Sequence, residues 1–177
     1  RLCRDWSSDV CSSDLRYEEL EAHPDWHFYG NDLPGFEQVL AAQERLLARE
    51  RGTRFILAHV GAYAENLAYI GGLLDRNPHV NIDISARFAE LGRQPYTARA
   101  FFLKYADRIL YGLDATPDAK GYRLTFRFLE TWDEYFPYGP EELPGQGRWR
   151  IYGLGLPAEV LTRVYRDNAL RLVPGLV

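Results

Sequence analysis

Phe36, Val39, Leu40, Leu46 and Leu47 return at helical spacing through GFEQVLAAQERLLARERG, and Gly52 follows, which predicts an amphipathic helix ending there. TRFILAHVG is apolar without a polar face, the mark of a strand covered on both sides in a parallel sheet. Helical spacing resumes at Leu67, Ile70 and Leu74 until Asn77-Pro78 stops it. In HVNIDIS, Val80, Ile82 and Ile84 alternate with Asn81, Asp83 and Ser85, so a second strand has one apolar and one polar face. TARAFFLKYADR predicts a helix, and RILYGLDA a third strand with Gly112 and Asp114 on the face of Leu110. YRLTFRFLETWDEYF reads as an aromatic helix, PYGPEELPGQG as a loop, and PAEVLTRVYRDNALRLV as a last helix with Pro157 in its first turn, where a missing N–H costs little.

Strands alternating with helices predict an α/β fold with a parallel sheet and right-handed crossovers. Three strands satisfy neither a doubly wound sheet nor a complete (β/α)8 barrel. Neither GxGxxG nor GxxxxGK[ST] occurs, so the phosphate turn of a doubly wound nucleotide binder is missing. The polar residues gather instead at strand C-terminal ends, His59 in HVG, Asp83 and Ser85 in NIDIS and Asp114 in GLDA, where a barrel builds its active site.

Composition adds little to this, with 46% hydrophobic and 26% charged residues, as in ordinary globular chains. A net charge of −4 without a lysine or arginine run gives no footprint for nucleic acid or anionic lipid, and points to a small-molecule substrate. No stretch is apolar for the roughly 18 residues of a membrane span, and no secretory leader is recognisable. Both cysteines, Cys3 and Cys11, lie near the N-terminus, and a cysteine-free remainder fits a reducing cytoplasm. That N-terminal stretch is unusual. Arg4–Leu15, RDWSSDVCSSDL, resembles the translation of a short-read sequencing adapter, which assigns residues 1–15 to a disordered artefact and 16–177 to the protein proper.

FILAHVG, VNIDIS, ILYGLDATPD and the closing YRDNALRLVP, taken together, resemble the C-terminal part of the amidohydrolase-related family. These are metal-dependent barrel hydrolases that include the aminocarboxymuconate semialdehyde decarboxylases. The resemblance implies strands six to eight of a (β/α)8 TIM barrel over residues 16–177, with Asn168 to Leu172 as the Asn-Ala-x-x-Leu of the last helix. It also implies a hydrolase using a divalent metal, Zn2+ by preference. A decarboxylase of a small carboxylic acid on the same barrel is the alternative, and a non-catalytic interaction domain is the rival class.

The same resemblance makes Asp114 a metal ligand and general base, and His59 a proton-transfer residue that is also a metal ligand in binuclear relatives. A carboxylate and an imidazole suit both tasks. The bland readings are a turn or N-cap role for Asp114 before Thr116-Pro117 and a core role for His59. Asp83 and Arg87 are expected to bind a substrate carboxylate or to pair with each other. His23, His27 and His79 are expected at the surface. Phe126, Phe128, Trp132, Tyr135 and Phe136 are expected to pack as a helical stripe, with Glu130, Asp133 and Glu134 on a solvated face. The family's strand-one His-x-His and strand-five histidine have no counterpart, so the chain is expected to be a fragment, inactive alone, with open sheet edges that favour self-association.

Overall fold

A computed structural model describes residues 20–21, 23–26, 33–116, 118–139 and 149–176. The adapter-like stretch, both cysteines and His27 lie outside the described residues. Helix α1 (Phe36–Arg49) leads into strand β1 (Phe55–Leu57), followed by α2 (Leu67–Arg76) and β2 (Val80–Asp83). The short α3 (Phe88–Leu91) and α4 (Pro95–Lys104) precede β3 (Ile109–Leu110), and α5 (Ala119–Glu130) follows it. The last helical stretch consists of α6 (Ala158–Thr162), a π-helical turn (Arg163–Asp167) and α7 (Asn168–Leu172).

The three strands form one parallel sheet in the order β1-β2-β3, with Leu57 beside Ile82 and Asp83 beside Leu110. All three C-terminal ends therefore face the same way. Val80, Ile82, Ile84 and Ile109 are buried and join Leu67, Ile70 and Leu74 of α2 in one core. The α2 N-terminus is capped by Asn66, whose Oδ1 accepts from the Tyr69 N–H at 3.0 Å. Asp118 caps α5 in the same way, accepting from Lys120 and Gly121, so the turn after β3 does not need Asp114 as a cap.

The π turn has an identifiable cause. The N–H of Asn168 bonds to the Arg163 carbonyl, five residues back, which frees the Val164 carbonyl to accept from the Tyr111 N–H at 2.9 Å. Asn168 is itself buried and donates from Nδ2 to the carbonyls of Ala106 and Ile109, both at 2.8 Å. The last helical stretch thus clamps β3 at two points along the edge opposite β2.

Several expectations need correcting. β1 is not covered on both sides, since Ile56 is 43% exposed and its strand pairs only with β2 among the described residues. In α1, Leu40 and Leu47 are buried, whereas Val39 and Leu46 of the same stripe are exposed. The polar face of β2 is not wet at Asn81, which is buried and bonds the Phe55 carbonyl. His79 is half-buried rather than at the surface, with Nε2 at 3.1 Å from the Leu47 carbonyl and its ring against Phe55.

The aromatic helix ends at Glu130, short of the expected Phe136. The reason is competition for backbone partners: the carbonyls of Phe128 and Leu129 accept from the N–H groups of Leu154 and Leu156 at 2.7 and 2.9 Å. Phe128 and Phe136 are buried, while Trp132 and Tyr135 are exposed, so the five aromatics form no single stripe. Tyr165 packs edge-on to Phe126 and donates to Glu130 at 2.9 Å; burial and that carboxylate push its hydroxyl pKa well above the usual range. Glu130, Asp133 and Glu134 are exposed as expected, with Asp133 also paired to Arg127 at 2.6 Å. Among the described residues no helix is long and apolar enough to cross a membrane.

Candidate functional site

The exits of the three parallel strands share a conformational signature. His59 after β1, Ala86 after β2 and Asp114 after β3 have φ of 58°, 54° and 60°, in the left-handed region that L residues avoid. After β1 the strain is not a single residue. His59, Val60, Gly61 and Ala62 all have positive φ, a left-handed turn in which each non-glycine residue costs about 1–2 kcal/mol. Val60 offsets part of this by near-complete burial, and Gly61 lies close to Ile70, where an added Cβ would approach its Cδ1 to 3.1 Å.

The turn aims the His59 ring across the ends of the neighbouring strands. Its Nδ1 is 2.8 Å from the Ser85 carbonyl oxygen, and its Nε2 is 3.9 Å from Asp114 Oδ2. A carbonyl can only accept, so Nδ1 carries the proton, and in the neutral ring Nε2 presents its lone pair to Asp114. Asp83 Oδ1 accepts two backbone N–H bonds, from His59 at 2.9 Å and from Ser85 at 3.0 Å. The expected triplet His59, Asp83 and Asp114 is therefore brought together, with Ser85 as a fourth member through its backbone.

Arg87 goes elsewhere. Its Nη1 donates to the Ala86 carbonyl at 3.1 Å and reaches the buried Glu90 at 3.5 Å, so the expected Asp83–Arg87 pair does not form. The sequence marked Ser85 only as a polar strand-end residue with no role of its own, and Glu90 did not stand out. The alternation that put Ser85 on the polar face of β2 was the available signal for the first; nothing local marked Glu90 as a buried carboxylate. Gly112 explains how β3 comes so near, because a Cβ there would stand 2.2 Å from Ser85 Oγ. A cleft of about 350 Å³ between the start of α4 and the Glu134 and Tyr152 segments shares no residue with this cluster.

A family model described as amidohydrolase matches residues 5–175. The chain belongs to the amidohydrolase family. No curated protein and no solved structure matches it. The family is one of hydrolase- and lyase-type enzymes that generally use divalent metals. Its membership agrees with polar residues placed at the C-terminal ends of parallel strands, which among the described residues form a small three-stranded sheet.

The amidohydrolase's donor set fits part of a divalent metal centre. Tetrahedral coordination at bond lengths of about 2.0–2.2 Å would set two ligand atoms roughly 3.4 Å apart. His59 Nε2 and Asp114 Oδ2 are at 3.9 Å, and the Asp114 side chain is 59% exposed and free of a crowded setting. Among the described residues, no group of three or more His, Cys, Asp and Glu side chains comes together to complete a site.

The fit at Gly112 yields a stability prediction. Gly112→Val is expected to cost about 1–3 kcal/mol through overpacking against Ser85. Gly112→Ala is expected to cost less, because the Ser85 hydroxyl can rotate away. Urea unfolding of the two variants measures the difference, and equal costs would mean that Ser85 does not limit the space.

Proposed function

We propose that this amidohydrolase is a metal-dependent hydrolase of a small-molecule substrate, with His59 and Asp114 as two donors to a divalent ion such as Zn2+. The observation that carries the reading is the facing pair of acceptors. With the Nδ1 proton engaged by Ser85, the neutral His59 ring turns a lone pair toward a carboxylate oxygen 3.9 Å away. Two acceptors in that relation repel unless a metal ion or a proton on Nε2 lies between them. Metal-ligating histidines characteristically donate their other ring N–H to a carbonyl or carboxylate, as His59 does to Ser85.

A bound divalent ion supplies Lewis acidity toward a substrate carbonyl or an attacking water. The chain's own residues have separate tasks. Asp114, exposed at the strand exit, offers a carboxylate oxygen able to take a proton from water. His59 is held in one tautomer, so Nε2 cannot be lost as an acceptor by ring flipping. Arg87 is engaged with Glu90 and Asp83 with backbone N–H groups, so this reading assigns neither to substrate. Carboxy-lyase chemistry would use the same pair, and the two reactions are told apart by whether CO2 is released or water consumed.

Titration of the purified chain with Co2+ or Zn2+, followed by visible absorption and calorimetry, tests the assignment. Asp114→Asn and His59→Asn are each expected to weaken binding by more than the roughly 10–100-fold typical of losing an outer-shell partner. Binding that neither substitution changes would overturn it.

A further inference from the structure

We propose that Asp83 is a positioning residue for His59, which holds the left-handed turn and the histidine tautomer through the backbone rather than binding substrate. The proposal rests on reading His59 and Asp114 as metal donors and adds to it the part that aims His59.

Asp83 ends β2, between the other two strands, and its Oδ1 reaches both ways along the sheet exit. On one side it accepts the His59 N–H at 2.9 Å, and on the other the Ser85 N–H at 3.0 Å. Ser85 in turn supplies the carbonyl that receives the Nδ1 proton of His59 at 2.8 Å. The three residues form a closed ring of hydrogen bonds through one carboxylate oxygen. Asp83 thus fixes both the backbone of His59 and the acceptor that fixes its ring.

Such a clamp answers a local need. His59 and Val60 have φ of 58° and 56°, a conformation which a β-branched residue such as Val60 adopts only when its surroundings impose it. Backbone bonds close the turn from Ala62 N–H to the His59 carbonyl at 3.0 Å and from Tyr63 N–H to the Val60 carbonyl at 3.4 Å. The N–H of His59 enters the turn as a donor, and Asp83 satisfies it. A carboxylate oxygen accepts two N–H bonds easily. An amide oxygen can do the same, which separates hydrogen bonding from charge.

The experiment compares Asp83→Ala and Asp83→Asn in the full chain, with His59→Asn as reference. Two readouts are taken: Co2+ affinity, and the 15N chemical shifts of the His59 ring at alkaline pH without metal. The wild-type ring is expected with its proton on Nδ1. Asp83→Ala is expected to shift the ring toward the Nε2–H form and to weaken Co2+ binding roughly 10–100-fold. Asp83→Asn is expected to keep both properties near wild type.

An Asp83→Ala variant that retains the Nδ1–H tautomer overturns the proposal. So does an Asp83→Asn variant that loses it, which would make the charge the active feature. If Asp83→Ala does not fold, the tautomer in Asp83→Asn decides. Should His59→Asn leave Co2+ affinity unchanged, the metal reading fails, and the ring shifts still judge Asp83 on its own.

Discussion

Exchange of Phe128 for alanine is expected to lower the unfolding free energy by about 3–5 kcal/mol, a large share of the about 5–15 kcal/mol available to a folded domain. Phe128 is fully buried, and its ring centroid lies 6.5 Å from that of Phe88 in α3. Its backbone carbonyl accepts from Leu154 at 2.7 Å, so the residue stands where α5, α3 and the 153–156 segment meet. That backbone bond restrains the surrounding segments from collapsing into the space left by the ring, which places the cost in the upper part of the large-to-small range. Urea denaturation at fixed pH measures it, provided the slope with denaturant is unchanged. Phe126→Ala serves as the control, since Phe126 is 37% exposed on the same helix and is expected to lose less. A loss at Phe128 no greater than at Phe126 would show that the core does not close around this ring.

The second large effect is expected at Asn168. One side-chain amide donates to two carbonyls, Ala106 and Ile109, in a residue only 3% exposed. Asn168→Leu removes both donors while leaving both acceptors buried, and each orphaned group costs about 1–3 kcal/mol, giving a total of about 2–6 kcal/mol. Asn168→Asp is expected to be no better, because it presents a carboxylate to the same two carbonyl oxygens. Thermal or urea unfolding of the two variants reads this out. Retention of wild-type stability by Asn168→Leu would mean that the two carbonyls find other partners. The consequence reaches the site as well, since Ile109 belongs to β3 and the strand leads through Gly112 to Asp114.

The two predictions bear on different parts of the same arrangement. Phe128 supports the helical layer beside the sheet, whereas Asn168 ties the sheet's third strand to the last helix. His59 and Asp114 follow separate strands, β1 and β3, which have β2 between them. Their relative position therefore depends on the whole parallel array, and loosening β3 is expected to reduce Co2+ affinity before it unfolds the chain.

Periodicity located α1, α2 and the last helical stretch because each has an apolar face at a fixed repeat, and such faces bury against whatever lies beneath. β1 and β3 were legible as short apolar runs and β2 as an apolar–polar alternation, and their C-terminal polar residues named the cluster of His59, Asp83 and Asp114. The family was legible in the same segments, and the model match over residues 5–175 agrees. Those features are local: they depend on residue type and spacing over a few residues.

What the tertiary structure decided depends on partners distant in the chain. The end of α5 is fixed by N–H donors from 154 and 156, which no pattern in YRLTFRFLETWDEYF announces. The exposure of Ile56 depends on which strands flank β1. The role of Asp83 turns on whether its carboxylate meets a guanidinium or two backbone N–H groups, one of which, that of His59, lies across the strand ends and 24 residues away in the chain. Sequence alone named His59, Asp83 and Asp114 as candidates and the strand ends at which they emerge, because side-chain alternation and strand order are local or topological. Their direction, tautomer and mutual distance were set only when three strand exits, each with a left-handed residue, were brought side by side, since hydrogen-bond partners are chosen in space and not in sequence.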